Sequence, residues 1–440
     1  MNKKINLVFS DDKLANGRDR NEFNRSCIGN WFSLRDEVSF TTEYQIKKDH
    51  NNIFVLECSS QLRNFWNQDN EIGDKGIYFD FPKEFQNLIK TNQVKLLISS
   101  LPEATPDLDS FEDEVEEYCK LSSIPINSLI FLDSNKAIEN CKTIHSYYIP
   151  HFIHDNGIAA KIILERSEAG GISNNELKYK PSLPTVDEAK NRLDREHYFI
   201  SLNRSNHRKH RLILGCYFIE KNDDRILWSY LSIPDMLAGH HKPTERQKKL
   251  ISNNIENLKS IIPKQIDTQV RNSKPGSAPQ PWLPKHFYNL ENFETSRNFD
   301  KERLSLNCYF DIVTETSFED TDKLFFTEKI VRSIVNFHPF IVISSANYLK
   351  ELKTFGFKTF DGLFDESYDE IIDRWERLDF ILNEIDKILL KSPEEIKNLY
   401  NKYFDVCVYN RNHLFENIAI GKGSEFDEFF NKRIIGEFDE

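Results

Sequence analysis

No apolar run reaches the roughly 18 residues that a membrane-spanning helix requires. Nor does the opening stretch Met1-Asn2-Lys3-Lys4-Ile5-Asn6 lead into an apolar segment of signal-peptide length. Cys-x-x-Cys is missing, and the seven cysteines, Cys27, Cys58, Cys119, Cys141, Cys216, Cys308 and Cys407, show no metal-ligand spacing. An odd, dispersed set reads as reduced thiols in a core, so the expected setting is the cytoplasm. Positive charge is not in excess either: 58 Lys and Arg stand against 70 Asp and Glu, a formal net charge of −12. An acidic chain is a poor general binder of nucleic acid or anionic membrane. No internal repeat is visible. Glycine is scarce, at 15 residues, while Lys, Asn, Ile and Phe are abundant; this bias fits AT-rich coding and carries no functional reading.

What is present suffices for large cores. The chain has 440 residues, 39% of them hydrophobic and 12% aromatic, enough for two or three domains. Ile53-Phe54-Val55-Leu56, Val94 to Ser100 and Ser128 to Leu132 read as strands, the last two flanking an acidic helix from Ser110 to Leu121. Strand, helix and strand at this spacing form a parallel βαβ unit, which predicts a Rossmann-like first domain over residues 1–166. Residues 167–195, with Gly170-Gly171, Pro181 and Pro184, read as a linker. A second domain is expected over 196–400. It has strands at Tyr198–Leu202, Cys308–Val313 and Pro339–Ser344, a short strand at Phe357–Phe360, and helices at Arg208–Glu220, Pro243–Ile262, Glu370–Leu390 and Pro393–Tyr403. Residues 401–440 make a tail. The fold class is therefore α/β, with two Rossmann-like domains and a C-terminal helical region.

The residues that point to chemistry lie in the second domain. Phe325-Phe326-Thr327-Glu328-Lys329-Ile330 places an N-cap, Thr327, before a helix with apolar residues at Ile330, Val331, Ile334 and Val335. Free N–H groups and a partial positive charge at a helix start suit a phosphate. Lys329 adds a full charge there, and Glu328 can accept hydrogen bonds from sugar hydroxyls. Against this stands the plain reading of an ordinary helix start, where Glu is common for dipole reasons alone. The first strand of the same domain runs into Asn203-Arg204-Ser205-Asn206-His207-Arg208-Lys209-His210-Arg211. Ligands of open α/β sheets bind beyond the carboxyl ends of strands, so Arg204 and Arg208 stand where a pyrophosphate would lie. The alternative is a solvated basic turn or an RNA contact.

Glu315, followed a dozen residues later by Phe326-Thr327-Glu328-Lys329, resembles the signature of the fucosyltransferase-like glycosyltransferases of the two-domain GT-B fold. The resemblance covers about Tyr198 to Arg377. The family's Glu-Asn-Ser reads Glu315-Thr316-Ser317 here, at a position close to the sugar in that family. This likeness implies two domains facing across a cleft and a nucleotide-diphosphate sugar donor, GDP-fucose first and a UDP-sugar as the alternative. It also implies a glycan acceptor, as in polysaccharide biosynthesis. Lys329 would pair with the diphosphate, Glu328 with the ribose hydroxyls, and Glu315 would lie near the ribose or donor sugar.

An inverting transfer needs a base for the acceptor hydroxyl. The first domain offers Glu103, just past a buried strand, with Asp107 and Asp109 as alternatives; each could instead cap the helix near Ser110. No metal and no further cofactor are expected. His145, His151 and His154 lack a Cys or carboxylate at ligand spacing, and Asp107-Leu108-Asp109 is too short a match to a metal-binding DxD. The non-catalytic alternative is a glycan- or nucleotide-binding protein of the same fold.

Overall fold

The computed structural model describes residues 4–8, 38–41, 44–57, 77–100, 110–150, 183–192, 194–203, 208–229, 243–261, 304–319 and 323–418, with single positions at 108, 153, 157, 160, 161 and 164. The chain divides into two compact units, Met1–Asp155 with Glu416–Glu440, and Asn156–Phe415.

The first unit is built on six parallel strands: β1 (Lys4–Val8), β2 (Val38–Thr41), β3 (His50–Glu57), β4 (Val94–Ser100), β5 (Leu129–Asp133) and β6 (His145–Tyr148), in the order β2-β1-β3-β4-β5-β6. Helices α1 (Lys83–Lys90) and α2 (Phe111–Ser122) connect the middle strands. Strand β4 is buried at six of its seven positions, as expected of a parallel sheet covered on both faces. In α2, Phe111, Val115, Tyr118, Cys119 and Ser122 form the buried stripe, while Glu112, Asp113 and Glu114 fill the first turn and complement the helix dipole. Strand β1 lacks the continuous apolar run of a buried parallel strand, because Asn6 is in its middle. That amide is fully buried but satisfied: it donates to Thr41 and Asn52 side chains at 2.9 Å each and accepts from Ser39.

The second unit has four parallel strands, β7 (His197–Leu202), β8 (Ile226–Ser229), β9 (Cys308–Thr314) and β10 (Phe340–Ile343), in the order β10-β9-β7-β8. Its helices are α3 (Val186–Asn191), α4 (Lys209–Lys221), α5 (Glu245–Ile261), α6 (Glu328–Val335), α7 (Tyr348–Thr354), α8 (Arg374–Leu389) and α9 (Pro393–His413). All seven residues of β9 are buried, which places it at the centre of the core.

Both sheets share one topology. In each, the chain steps from the first strand outward to the second, then returns to the other side of the first. The order reverses between β1 and β3 in one unit and between β7 and β9 in the other. The carboxyl ends of strands at such a reversal are where open α/β sheets bind ligands.

Two sequence expectations change. Residues 357–360 form no strand; the only bridge beside them among the described residues is the isolated pair Asp361 and Phe364. Instead, the Asn410 side chain donates to Lys358 O and accepts from Lys358 N, both at 2.8 Å, and takes the place of a neighbouring strand. Helix α9 runs ten residues past Tyr403. It opens on a capping box at Ser392 with Pro393 in its first turn, and continues because Tyr400, Phe404, Cys407, Asn410 and Arg411 keep one face buried. The expected boundary at residue 400 therefore falls inside a helix.

Candidate functional site

Helix α6 begins at the reversal point of the second sheet. Thr327 is extended and caps it, accepting from the Lys329 N–H at 3.4 Å. Its hydroxyl also accepts from Lys329 Nζ at 3.0 Å and donates to Glu315 Oε2 at 2.5 Å. Glu315 follows directly on β9 and is fully buried. Its Oε1 accepts from the Thr327 N–H at 3.2 Å and from the Tyr348 hydroxyl at 2.8 Å. The carboxylate thus ties the end of β9 to the start of α6. Both its oxygens are engaged inside the protein, by Thr327 and Tyr348.

Lys329 also contacts Glu328 Oε1 at 3.0 Å, with side-chain exposures of 15% and 31%. Burial alone would raise the Glu328 carboxyl. The Lys329 charge and hydrogen bond, with its own backbone N–H and Arg332, outweigh that and hold it below the ordinary carboxylate range. An ammonium has three N–H donors. Thr327 and Glu328 take two, which leaves one for an incoming anion.

Across the reversal point, Arg208 is the exposed N-cap of α4 and gives that helix no side-chain cap. The first turn of α4 contains no acid; Lys209, His210 and Arg211 occupy it. Arg211 is buried and donates through Nη2 to the carbonyls of Thr314 and Glu315 at 3.2 Å each. His210 Nε2 lies 3.2 Å from the same Glu315 carbonyl, and the ring packs on Phe318. Burial, then the charges of Arg211, Arg208 and Arg374, drive its pKa well below the usual value, so the ring is neutral and Nε2–H is the donor. Glu319 is close enough to offset part of this charge, paired with Arg374 at 2.7 Å. Cations at a helix N-terminus oppose its dipole, by about 0.3–1 kcal/mol each at a surface. An anion placed there would reverse the sign.

Of the expected site residues, Glu315, Glu328 and Lys329 gather around Thr327 beyond the carboxyl end of β9, and Arg208 stands at the start of α4, the helix that follows β7. Glu315 ties the two helix starts, touching His210 and Arg211 through its carbonyl and Thr327 through its carboxylate. Arg204 and Glu103 lie outside the described residues, as do Asp107, Asp109, His151 and His154; His145 sits in β6. Among the described residues no helix is long and apolar enough to cross a membrane.

Sequence reasoning missed the residues that frame the site. Fully buried Arg377 donates to the carbonyls of Ser344 at 2.9 Å, Ile372 at 3.0 Å and Glu319 at 2.8 Å, and to that of Ile371. It holds the loops after β9 and β10 together. Nothing in the local pattern of α8 distinguishes it from a surface arginine. Tyr348 was equally hidden; only its place at the start of α7, after the strand following α6, hinted at contact.

No family model matches the chain, and no curated protein matches it. Among solved structures, the N-terminal domain of a Candida albicans trehalose-6-phosphate phosphatase is similar at 11% identity and a TM-score of 0.39, over 98% of this chain and 99% of that one. A trehalose-6-phosphate synthase studied with bisubstrate glycomimetics is similar at 11% identity and a TM-score of 0.40, over 93% and 97%. A structure described as trehalose-6-phosphate from E. coli bound with UDP-2-fluoro glucose gives 10% identity and 0.37, again over 93% and 97%.

Proposed function

We propose that the protein is a GT-B glycosyltransferase that takes a sugar from a nucleotide diphosphate and transfers it to a glycan hydroxyl. The observation that carries this reading is the pair of helix starts, α4 and α6, at one reversal point of a parallel sheet. One is rich in cations and uncapped by any side chain; the other presents a half-sequestered ammonium. That arrangement suits a diphosphate. Lys329 and Arg208, joined by Arg204, would hold its oxygens, and Glu328 would accept from the ribose hydroxyls. Glu315 would act from behind, fixing the α6 cap.

In the reaction, the acceptor oxygen attacks the anomeric carbon and the bond from that carbon to the phosphate oxygen breaks. The nucleoside diphosphate leaves with the electron pair, and the acceptor proton passes to Glu103 in an inverting displacement. Lys329 and Arg208 gain most as charge develops on the leaving oxygen, which is the interaction that accelerates the step. GDP-fucose is the first donor to try and UDP-hexoses the second. Release of nucleoside diphosphate from each donor, with an oligosaccharide acceptor mixture, tests this. Turnover that falls at least about 100-fold in Lys329→Ala supports it. Nucleotide binding with no turnover of any donor favours the non-catalytic binding protein instead.

A further inference from the structure

The first unit carries a second basic feature, at the amino ends of the two central strands of its sheet. A cavity of about 420 Å³ opens between the turn before β3 and the turn after α1. Lys47, Lys48 and Lys95 line it with His50, Asn51 and Asn92, and no carboxylate is among its lining residues. Three lysines thus border one hollow in a chain whose net charge is −12. The register, Lys4 beside His50 and Ile53 beside Lys95, fixes the hollow at the amino ends of the strands. Ligands that take part in the chemistry of such sheets sit at the carboxyl ends. This place is therefore separate from any transfer site.

Both walls are built. Asn52 is buried and ties the lysine turn to the sheet: it accepts from the Lys47 N–H at 2.9 Å and donates to the carbonyls of Lys47 and His50 at 3.0 and 3.1 Å. Asn6 holds Asn52 in turn. Opposite, Asn92 takes a left-handed conformation at the end of α1, and its side chain accepts from Ser128 at 3.1 Å. His50 and Asn51, both half-buried, form part of the lining between these walls.

The geometry points to a phosphate-recognising site here, for a phosphomonoester group on a small molecule or a lipid headgroup. A tetrahedral dianion offers acceptors to several donors at once. The lysines supply point charges around it, as lysine does in many phosphate sites. The volume falls within the range of small-ligand pockets, roughly 300–1,000 Å³. This site is independent of the glycosyltransferase reading.

The test uses the full chain carrying Lys329→Ala, which disables the proposed diphosphate site, and inorganic phosphate as the probe. Isothermal titration at low salt should show phosphate binding. Adding Lys47→Gln and Lys48→Gln should weaken it at least tenfold, with an unchanged circular dichroism spectrum to show that the variant folds. Raising the salt should weaken binding in the parent. Absence of binding in the Lys329→Ala protein, or equal binding after the two lysine changes, overturns the proposal. Where binding depends on the lysines, flotation with phosphatidic acid vesicles, but not with phosphatidylcholine vesicles, identifies a lipid headgroup. No flotation then identifies a soluble phosphate, and both results uphold the site.

Discussion

Lys329 and Glu315 are two contacts apart, through Thr327, and should respond to substitution in opposite ways. Glu315 is buried and receives three hydrogen bonds, so Glu315→Ala leaves the Thr327 N–H and two hydroxyls unmet. It should destabilise the second unit by about 2–4 kcal/mol. Lys329→Ala removes an ammonium bonded to Thr327 and Glu328 and should cost about 1–2 kcal/mol, less than the loss of Glu315, while abolishing nucleotide binding. Urea unfolding of the two variants checks this; equal destabilisation would mean that Lys329 is structural. The cap and its charges were legible because Thr327, Glu328 and Lys329 are local in sequence. The inward turn of Glu315 was not, since it depends on Tyr348, 33 residues away.

Among the elements, helix α9 depends on a glycine far from it in sequence. Gly356 has φ of +83°, and a Cβ there would meet the His413 ring at 2.6 Å. Gly356→Ala should therefore lower stability by about 1–3 kcal/mol, through left-handed strain and displacement of His413. A change under roughly 0.5 kcal/mol in chemical denaturation would contradict this docking. The strands flanking α2 and the helix starts at Thr327 and Ser392 could be read from alternation, spacing and cap residues. By contrast, β1 was hidden by a buried asparagine whose partners lie 35 and 46 residues away. The missing strand at 357–360 was likewise settled by a side chain 52 residues on, Asn410. Patterns that close within a few residues were legible; those that close through distant side chains were not.

The whole molecule should lose stability in mild acid. His338 is buried, and burial, despite nearby Asp311, lowers its pKa from 6.5 to about 4. Between those values the unfolded chain binds a proton that the folded chain refuses, so stability rises with pH across that window. The span corresponds to about 3 kcal/mol at most. His210, lowered in the same direction, adds to it. Glu328 acts at lower pH: its contribution is complete above the ordinary carboxylate range and disappears as pH falls through its lowered value. Urea midpoints at pH 7 and pH 5 should differ, and His338→Gln should narrow the gap; equal midpoints would contradict the buried neutral ring.

At this scale the α/β class and the two Rossmann-like halves were legible from βαβ spacing. The shared reversal of strand order was not, because pairing between distant strands leaves no local mark. That reversal gives the central claim its place in the fold. The most direct measurement is a thermal-shift screen of GDP, UDP, CMP and ADP on the wild type and on Lys329→Ala. A nucleotide at a hundred times its dissociation constant should stabilise the protein by about 2.7 kcal/mol. The account predicts stabilisation by one diphosphate, GDP first, that disappears in the variant. No shift with any nucleotide, or a shift that survives the loss of Lys329, would contradict it.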